Sequence, residues 1–501
     1  MADWNKLNEN DFENLLKNSL NDIPPQNIID EVSPYKDAIG HIVWGIGLTT
    51  ITLNFLLLNY ILPFIGAILM LLGFRSLRKE NKWFFGGYIL SIIRLIYVLS
   101  SLILNSTIYN EFIQQSDFAD FLGIFNTFVN LMIFICFWRA LKAIKKKSNI
   151  DIDTGFGLLF LYIILCVLAF LNYNGLILGI IFLIIYFLTL KSLYNISSKI
   201  ENAGYIIKTA EVKYSNEFVV KGILIFLAIC TIIGYVFFHS YNMNWTEYKS
   251  ENQKSSIIDL GFPEYPEYIL KDMSEEDIKE LEGAKQVVVN VREHPINKGR
   301  VEETKYYEDG KTITHQQTVY DVKELKVTSI GVELENEWKI IHYFEWTHKP
   351  KFYGTESIEI LPAYYHFEYW ALSSDINGYV FYDKDNTVYR ADYSSINEEK
   401  YKKDTMWGVS MNANIFARFS MPNDGENHRG YITYNIMNLN PDTICIVNSC
   451  FNYTHQKRWL QYPVKTATEN RKTSGFGDEW TFKTIQDALQ FYPEKDGAEL
   501  V

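Results

Sequence analysis

Cysteine is scarce in this chain, with five among 501 residues. That excludes the disulfide framework of a small secreted scaffold. Two of the five, Cys445 and Cys450, sit in the C-terminal half. On one straight strand they would lie roughly 16 Å apart and on opposite faces, whereas a disulfide needs Cα atoms within about 7 Å. Bonding requires a turn at Asn448-Ser449; free, mostly buried thiols are the alternative. Positive charge is also short. The formal net charge is −12, and no strongly basic face exists outside a few short loops, which excludes nucleic acid as a partner. The first 37 residues carry 3 Lys against 8 acids. With no basic n-region, no cleavable signal peptide is expected, and the first apolar helix serves as its own insertion signal.

Catalytic signatures are missing as well. The sequence has no GxSxG elbow, no phosphate-binding loop, no GxGxxG leading into a helix, no HExxH and no HxH. Asp151-Ile152-Asp153-Thr154 has the letters of a phosphatase DxDxT start, but it falls between two apolar segments with no strand before it. Asp383-Lys384-Asp385-Asn386 lacks the Gly and distal Glu of a calcium loop and reads as a hairpin turn. The histidines of the C-terminal half are scattered. No catalytic residue, metal or cofactor is expected.

Long apolar runs are what the chain does have. Its 48% hydrophobic residues concentrate between about 38 and 240. A bilayer core of roughly 30 Å takes about 20 apolar residues per helix, and residues 83–104, 120–138, 155–172, 175–191 and 218–238 qualify. Residues 41–74 would reach roughly 51 Å as one helix, too long for one crossing. Asn59 and Pro63 near the middle predict a hairpin of two helices, about 38–58 and 61–76. Seven spans result, with six as the alternative. Lys and Arg cluster in three loops: Arg75–Lys82, Arg139–Lys147 and Lys191–Lys213. The loops at 105–119 and 172–175 have neither. All basic loops then face one side, which the positive-inside rule makes the cytoplasm. The N-terminus is cytoplasmic and the last 260 or so residues are extracytoplasmic, in a plasma membrane.

Arg94 sits mid-span, where a charge costs at least roughly 2.5 kcal/mol. It must face the bundle, either as an anion or headgroup site or bonded to Asn126, Asn130 or backbone carbonyls. No acid lies within a span, which demotes a proton relay or a cation-coupled transporter. The acidic tail, residues 1–37, has an amphipathic helix candidate at Asp11–Leu20.

The exterior half reads as a linker with a short helix (241–284) followed by a β-rich domain (285–501). Ser274-Glu275-Glu276 starts the helix, with Ser as N-cap. Val287–Val289, 336–347, Gly378–Tyr382, Thr387–Asp392, 413–420, 429–437, 443–453 and 458–463 are strand candidates, and Asp309-Gly310 is a hairpin turn. Short strands with regular turn signals suggest a β-sandwich, closed by a helix at about Thr481–Gln490. Two groups of side chains suit ligand recognition. One is an aromatic platform, Tyr365, Tyr369 and Trp370. The other mixes donors and rings: His428, Arg429, His455, Arg458, Trp459 and Tyr462.

Two blocks carry a resemblance: TTITLNFLLLNYILP with GFRSLRKENKWF in Trp44–Lys82, and GENHRGYITY, NYTHQKRWLQYPV and DALQFYP in the exterior half. They resemble an uncharacterised family of multi-pass membrane proteins of Gram-positive bacteria. That likeness implies the topology and a bacterial plasma membrane, and no activity. The expectation is a polytopic helical membrane bundle bearing an extracytoplasmic β-domain. Its partners are the lipid bilayer and an envelope ligand or another membrane protein. The role is sensing or scaffolding, with an envelope enzyme acting on a lipid-linked substrate, or a transporter's accessory subunit, as alternatives.

Overall fold

The computed structural model describes residues 34–50, 56–249 and 266–500, less short stretches of one to six residues. The tail helix expected at Asp11–Leu20 and the Asp309-Gly310 turn lie outside the described residues. The chain divides into two units, Met1–Leu104 with Ile113–Ile232, and Asn105–Phe112 with Ile233–Val501.

The helices in chain order are α1 Pro34–Thr50, α2 Leu58–Leu77, α3 Lys82–Leu104, α4 Tyr109–Gln114, α5 Asp117–Ser148, α6 Phe156–Phe170, α7 Leu176–Tyr194 and α8 Asn216–Phe238. Among the described residues, α2, α3, α5 and α8 are long and apolar enough to cross a membrane; α6 and α7 are apolar but shorter. The break expected at about residues 59–60 comes earlier, at Leu56 and Leu57, both left-handed (φ 49° and 62°). Pro63 lies inside α2, which continues at the loss of one backbone hydrogen bond.

The α1–α2 pair packs backbone to backbone. A Cβ on Gly45 would meet the carbonyl oxygen of Gly66 at 2.7 Å, and one on Gly73 that of Ala38 at 2.5 Å. Glycine permits this approach because it carries no Cβ to hold the two backbones apart. The three basic loops are bonded to each other. Arg75 donates to Asn216 Oδ1 (3.4 Å) and to the Tyr214 carbonyl, and Arg78 to the Glu211 carbonyl (3.0 Å). The buried Glu80 accepts from Lys147 Nζ (3.3 Å), Tyr205 OH (3.0 Å) and the Lys208 N–H (2.7 Å).

The second unit is mostly β. Strands β1 Thr246–Tyr248, β2 Gln286–His294, β5 Leu325–Glu333, β6 Glu337–Trp346, β8 Trp370–Leu372, β9 Asn377–Lys384, β10 Thr387–Asp392 and β13 Glu426–Asn438 make one antiparallel sheet in the order β1-β10-β9-β13-β6-β5-β2, with β8 also on β13. A second sheet runs β11 (Ser395–Thr405), β12 (Gly408–Phe419), β7 (Glu356–Leu361), β14 (Val447–Gln456), β15 (Phe482–Tyr492), β16 (Glu499–Leu500). β3 (Arg300–Glu308) and β4 (Lys311–Val319) form a separate ribbon. The core joins Val327, Ile340, Phe344 and Ile432 of the first sheet to Ile360, Phe419, Phe451 and Leu489 of the second. The other face of the first sheet is covered by α9 (Glu267–Leu270) and α10 (Glu275–Lys279), through Ile269, Met273, Ile278 and Leu281 on Ile341, Tyr343 and Tyr431. Ser274 caps α10 as expected, accepting from the Asp277 N–H at 3.1 Å.

Several expectations need correction. Residues 246–248 of the expected linker are a sheet strand, β1, paired with β10. Thr481–Gln490 is strand, not helix: Ile485, Asp487, Leu489 and Phe491 alternate inward on β15, and a buried acid at one of those positions hides the period of two. Residues 458–463 form no strand. The β9–β10 turn is Asp385-Asn386 (φ 51° and 59°) alone, a two-residue hairpin loop with both φ positive. Asn448-Ser449 lies within β14 with no turn, so Cys445 and Cys450 are free thiols.

Candidate functional site

His455 is the next-to-last residue of β14, and Glu356 is the first residue of β7. The β14–β7 register, Thr454 opposite Ser357, sets the two side by side. His455 Nδ1 is 3.0 Å from both carboxylate oxygens of Glu356. The carboxylate also accepts from the Gln456 N–H at 3.4 Å and bonds Tyr453 OH. Tyr453 OH in turn accepts from Trp346 Nε1 at 3.2 Å. Trp346 and Phe352 wall the imidazole at ring distances of 5.1 and 5.8 Å. Gly354 is needed here, because a Cβ would collide with Gln456 Oε1, the oxygen that accepts from the Thr355 N–H.

The pair opens on a cleft of about 720 Å³. His455 and Trp346 line it, together with Lys349, Lys351, Lys457 and Arg300 against the acids Asp321 and Glu324. Both acids are already engaged. Asp321 pairs with Arg300 Nε at 3.1 Å. Glu324 accepts from the Ile296 N–H at 2.7 Å and from the Asn297 side chain. Burial works to raise the Glu324 carboxyl, but these donors outweigh it and hold it below the usual range. The loop carrying the lysines is fixed by Asn423, which accepts from the Phe352 N–H (2.9 Å) and donates to the Phe352 carbonyl (2.6 Å). Three lysines and Arg300 against two acids give the cleft a net positive lining. With Nδ1–H given to Glu356, the Nε2 of His455 is the ring's remaining polar atom, an acceptor when neutral and a donor when charged. No Ser, Thr or Cys lines the cleft among the described residues. The arrangement can hold a phosphate or carboxylate.

The residues singled out from sequence do not form one site. His428 is buried, donates from Nε2 to the Pro422 carbonyl (2.8 Å), and packs on Phe352 at 4.6 Å. Burial pushes its imidazole down to about 4. His428 and His455 thus meet at Phe352. Arg429, next along β13, points elsewhere and clamps Asp272 (2.7 and 3.1 Å) and Asp383 (2.8 Å). Arg458 stacks over Trp480 at 3.4 Å. Trp459 is exposed and meets Tyr235 edge-on at 5.3 Å. Tyr462 precedes a cis Pro463. The aromatic platform is not formed: Trp370 is buried, its Nε1 donating to the Ile446 carbonyl at 3.2 Å. Tyr369 is exposed, and the Tyr365 side chain lies outside the described residues. Arg94 is buried in the first unit, over the Tyr97 ring at 5.7 Å, with Nε and Nη1 lacking hydrogen-bond partners. The bonds expected from Asn126 to it are not made: Asn126 Oδ1 is unpartnered too, and Asn130 bonds Tyr162. Glu356, Lys349, Lys351 and Lys457 escaped the sequence reading, since nothing local links Glu356 to a histidine 99 residues later.

No family model matches the chain, and no curated protein matches it. Among solved structures, the KRT10-binding region domain of the pneumococcal serine-rich repeat protein PsrP is similar to it over 41% of this chain and 98% of that one, at 9% identity and a TM-score of 0.16, a likeness too slight to carry an argument.

Proposed function

We propose that the chain is a multi-pass plasma-membrane protein whose extracytoplasmic β-domain, a β-sandwich, binds an anionic envelope ligand in the His455 cleft. The observation that carries the ligand reading is the surplus of lysine there beside a histidine held by a buried glutamate. Membrane insertion is supported by α8, which is apolar yet mostly unburied, with Ile225, Phe226, Ile229, Ile232 and Phe237 all exposed. Such a surface needs an apolar solvent. The orientation is supported by the bonds that gather the basic loops, as the positive-inside rule requires of cytoplasmic segments. Seven spans place the N-terminus in the cytoplasm and the β-domain outside. The domain senses or scaffolds, and the bundle anchors it or relays to a partner. A second reading, an enzyme acting on a lipid-linked anion, has one observation in its favour, the two buried Arg94 guanidinium nitrogens without hydrogen-bond partners.

Two experiments test this. Protease added to intact cells should release a fragment of roughly 260 residues; full protection overturns the orientation. The full-length protein in detergent should bind polygalacturonate or poly(glycerol phosphate), read by tryptophan fluorescence. Lys351→Glu with Lys457→Glu should abolish that binding. Binding that ignores the two substitutions removes the cleft from the proposal.

A further inference from the structure

We propose that the groove between α1, α2 and α7 holds one anionic phospholipid, with its phosphate on Lys191 and an acyl chain along Gly47. This rests on the reading that the helices cross a membrane. The groove has a volume of about 600 Å³ and is lined by Val43, Trp44, Gly47, Leu48, Leu62, Phe187, Leu190, Lys191 and Tyr194. Every lining residue but Lys191 is apolar, aromatic or glycine.

The geometry gives the groove a polar end and an apolar end. α1 and α7 run antiparallel: Gly40 abuts Tyr194, with an added Cβ 3.4 Å from the ring, and Gly47 abuts Leu190 at 3.2 Å. Lys191 and Tyr194 therefore mark the end nearer the start of α1. Leu48 and Leu62 mark the end nearer the Leu56–Leu57 break. Lys191 is exposed and has no acidic partner among the described residues. It lies in the last turn of α7, where one of the basic stretches begins, so it meets the leaflet whose surface is anionic, where one lysine is worth about 1 kcal/mol toward such lipid. Trp44 and Tyr194, 59% and 41% exposed, flank it as interfacial aromatics do. Gly47 has no side chain to fill the floor, which leaves room for a tail. A charge at the surface end, aromatics beside it and an apolar trough leading inward match the parts of an anionic phospholipid in order.

The test uses the full-length protein. Alkaline carbonate extraction of membranes comes first: release of the chain overturns the membrane reading itself. With the chain retained, the protein is reconstituted in nanodiscs of mixed phosphatidylglycerol and phosphatidylcholine, transferred to detergent, and its retained lipids are measured by native mass spectrometry. Phosphatidylglycerol should be retained preferentially. Lys191→Gln should lower that preference about fivefold, the equivalent of ~1 kcal/mol, and Lys191→Arg should restore it. Gly47→Leu should lower retention with the charge in place; its new Cβ meets only the flexible end of Leu190. Equal retention of both lipids, or no effect of Lys191→Gln, overturns the proposal. So does crosslinking from position 47 to residues 1–33 or to a second copy, since the groove is then filled by protein.

Discussion

His455 Nδ1 and the carboxylate of Glu356 face each other across neighbouring strands, both oxygens at 3.0 Å and both side chains buried. Removing one partner of such a pair leaves the other buried and short of a hydrogen bond, at a cost of about 1–3 kcal/mol. Glu356→Leu and His455→Leu should each destabilise the protein by that order. The double substitution should cost less than the two together. Urea unfolding followed by tryptophan fluorescence measures all three; strict additivity would deny the coupling.

Stability should depend on pH with two opposed contributions. His342 is buried between Ser329 Oγ and Ser449 Oγ, each at 2.7 Å. Burial takes its imidazole down to about 4, and that of His428 to about 4 as well. A histidine with a lowered folded value stabilises fully above its unfolded value near 6.5, and that contribution is lost as pH falls toward 4. Glu469 has the opposite sign. Burial first, and then the charge of Glu111, raise it to about 7, so its contribution is present below about 4.5 and lost as pH rises through 7. Near pH 5.5 two protons favour the unfolded state and one the folded, leaving a net slope of about 1.4 kcal/mol per pH unit. Glu469→Gln should roughly double that slope. Thermal unfolding at pH 5, 6 and 7 reads it, and an unchanged slope rejects the assignment.

Arg429→Leu strips Asp272 of a two-nitrogen clamp and leaves it, nearly buried, with Tyr343 OH at 2.9 Å. A loss of about 3–5 kcal/mol is expected. Lys in place of Arg supplies a point charge without the fork and should recover only part of it. Because this clamp lies away from the cleft, polyanion binding by the surviving folded protein should not change.

Arg94→Leu should accumulate in membranes at least as well as the parent. Two guanidinium nitrogens buried without partners are worse for the fold than a leucine in their place. Quantifying the membrane fraction and its melting in detergent checks this. Failure to accumulate would show that Arg94 holds the bundle together.

Gly45→Val or Gly66→Val should separate α1 from α2, because the new Cβ would fall 2.7 Å from a backbone carbonyl oxygen in either case and backbone cannot step aside as a side chain can. Melting in detergent should drop, with Gly123→Val as the control, since nothing lies within 4 Å of that position.

The sequence by itself determined whatever depends on solvent and local pattern. Twenty-residue apolar runs and basic loops mark the helices and their ends, because hydropathy and loop charge are properties of a segment alone. Alternation with turn residues marks most strands for the same reason, and Ser274 capped its helix where the first-turn acids placed it. Tertiary structure alone decided the rest. Asp487 on an inward position made a strand look like a helix, since only its pairing with β14 sets that segment's form. Arg429 and His455, similar in sequence context, parted company: one was committed to two aspartates and the other to a buried glutamate at a cleft. Partners for a buried charge are chosen by register between strands far apart in the chain, and register is a property of the assembled sheet.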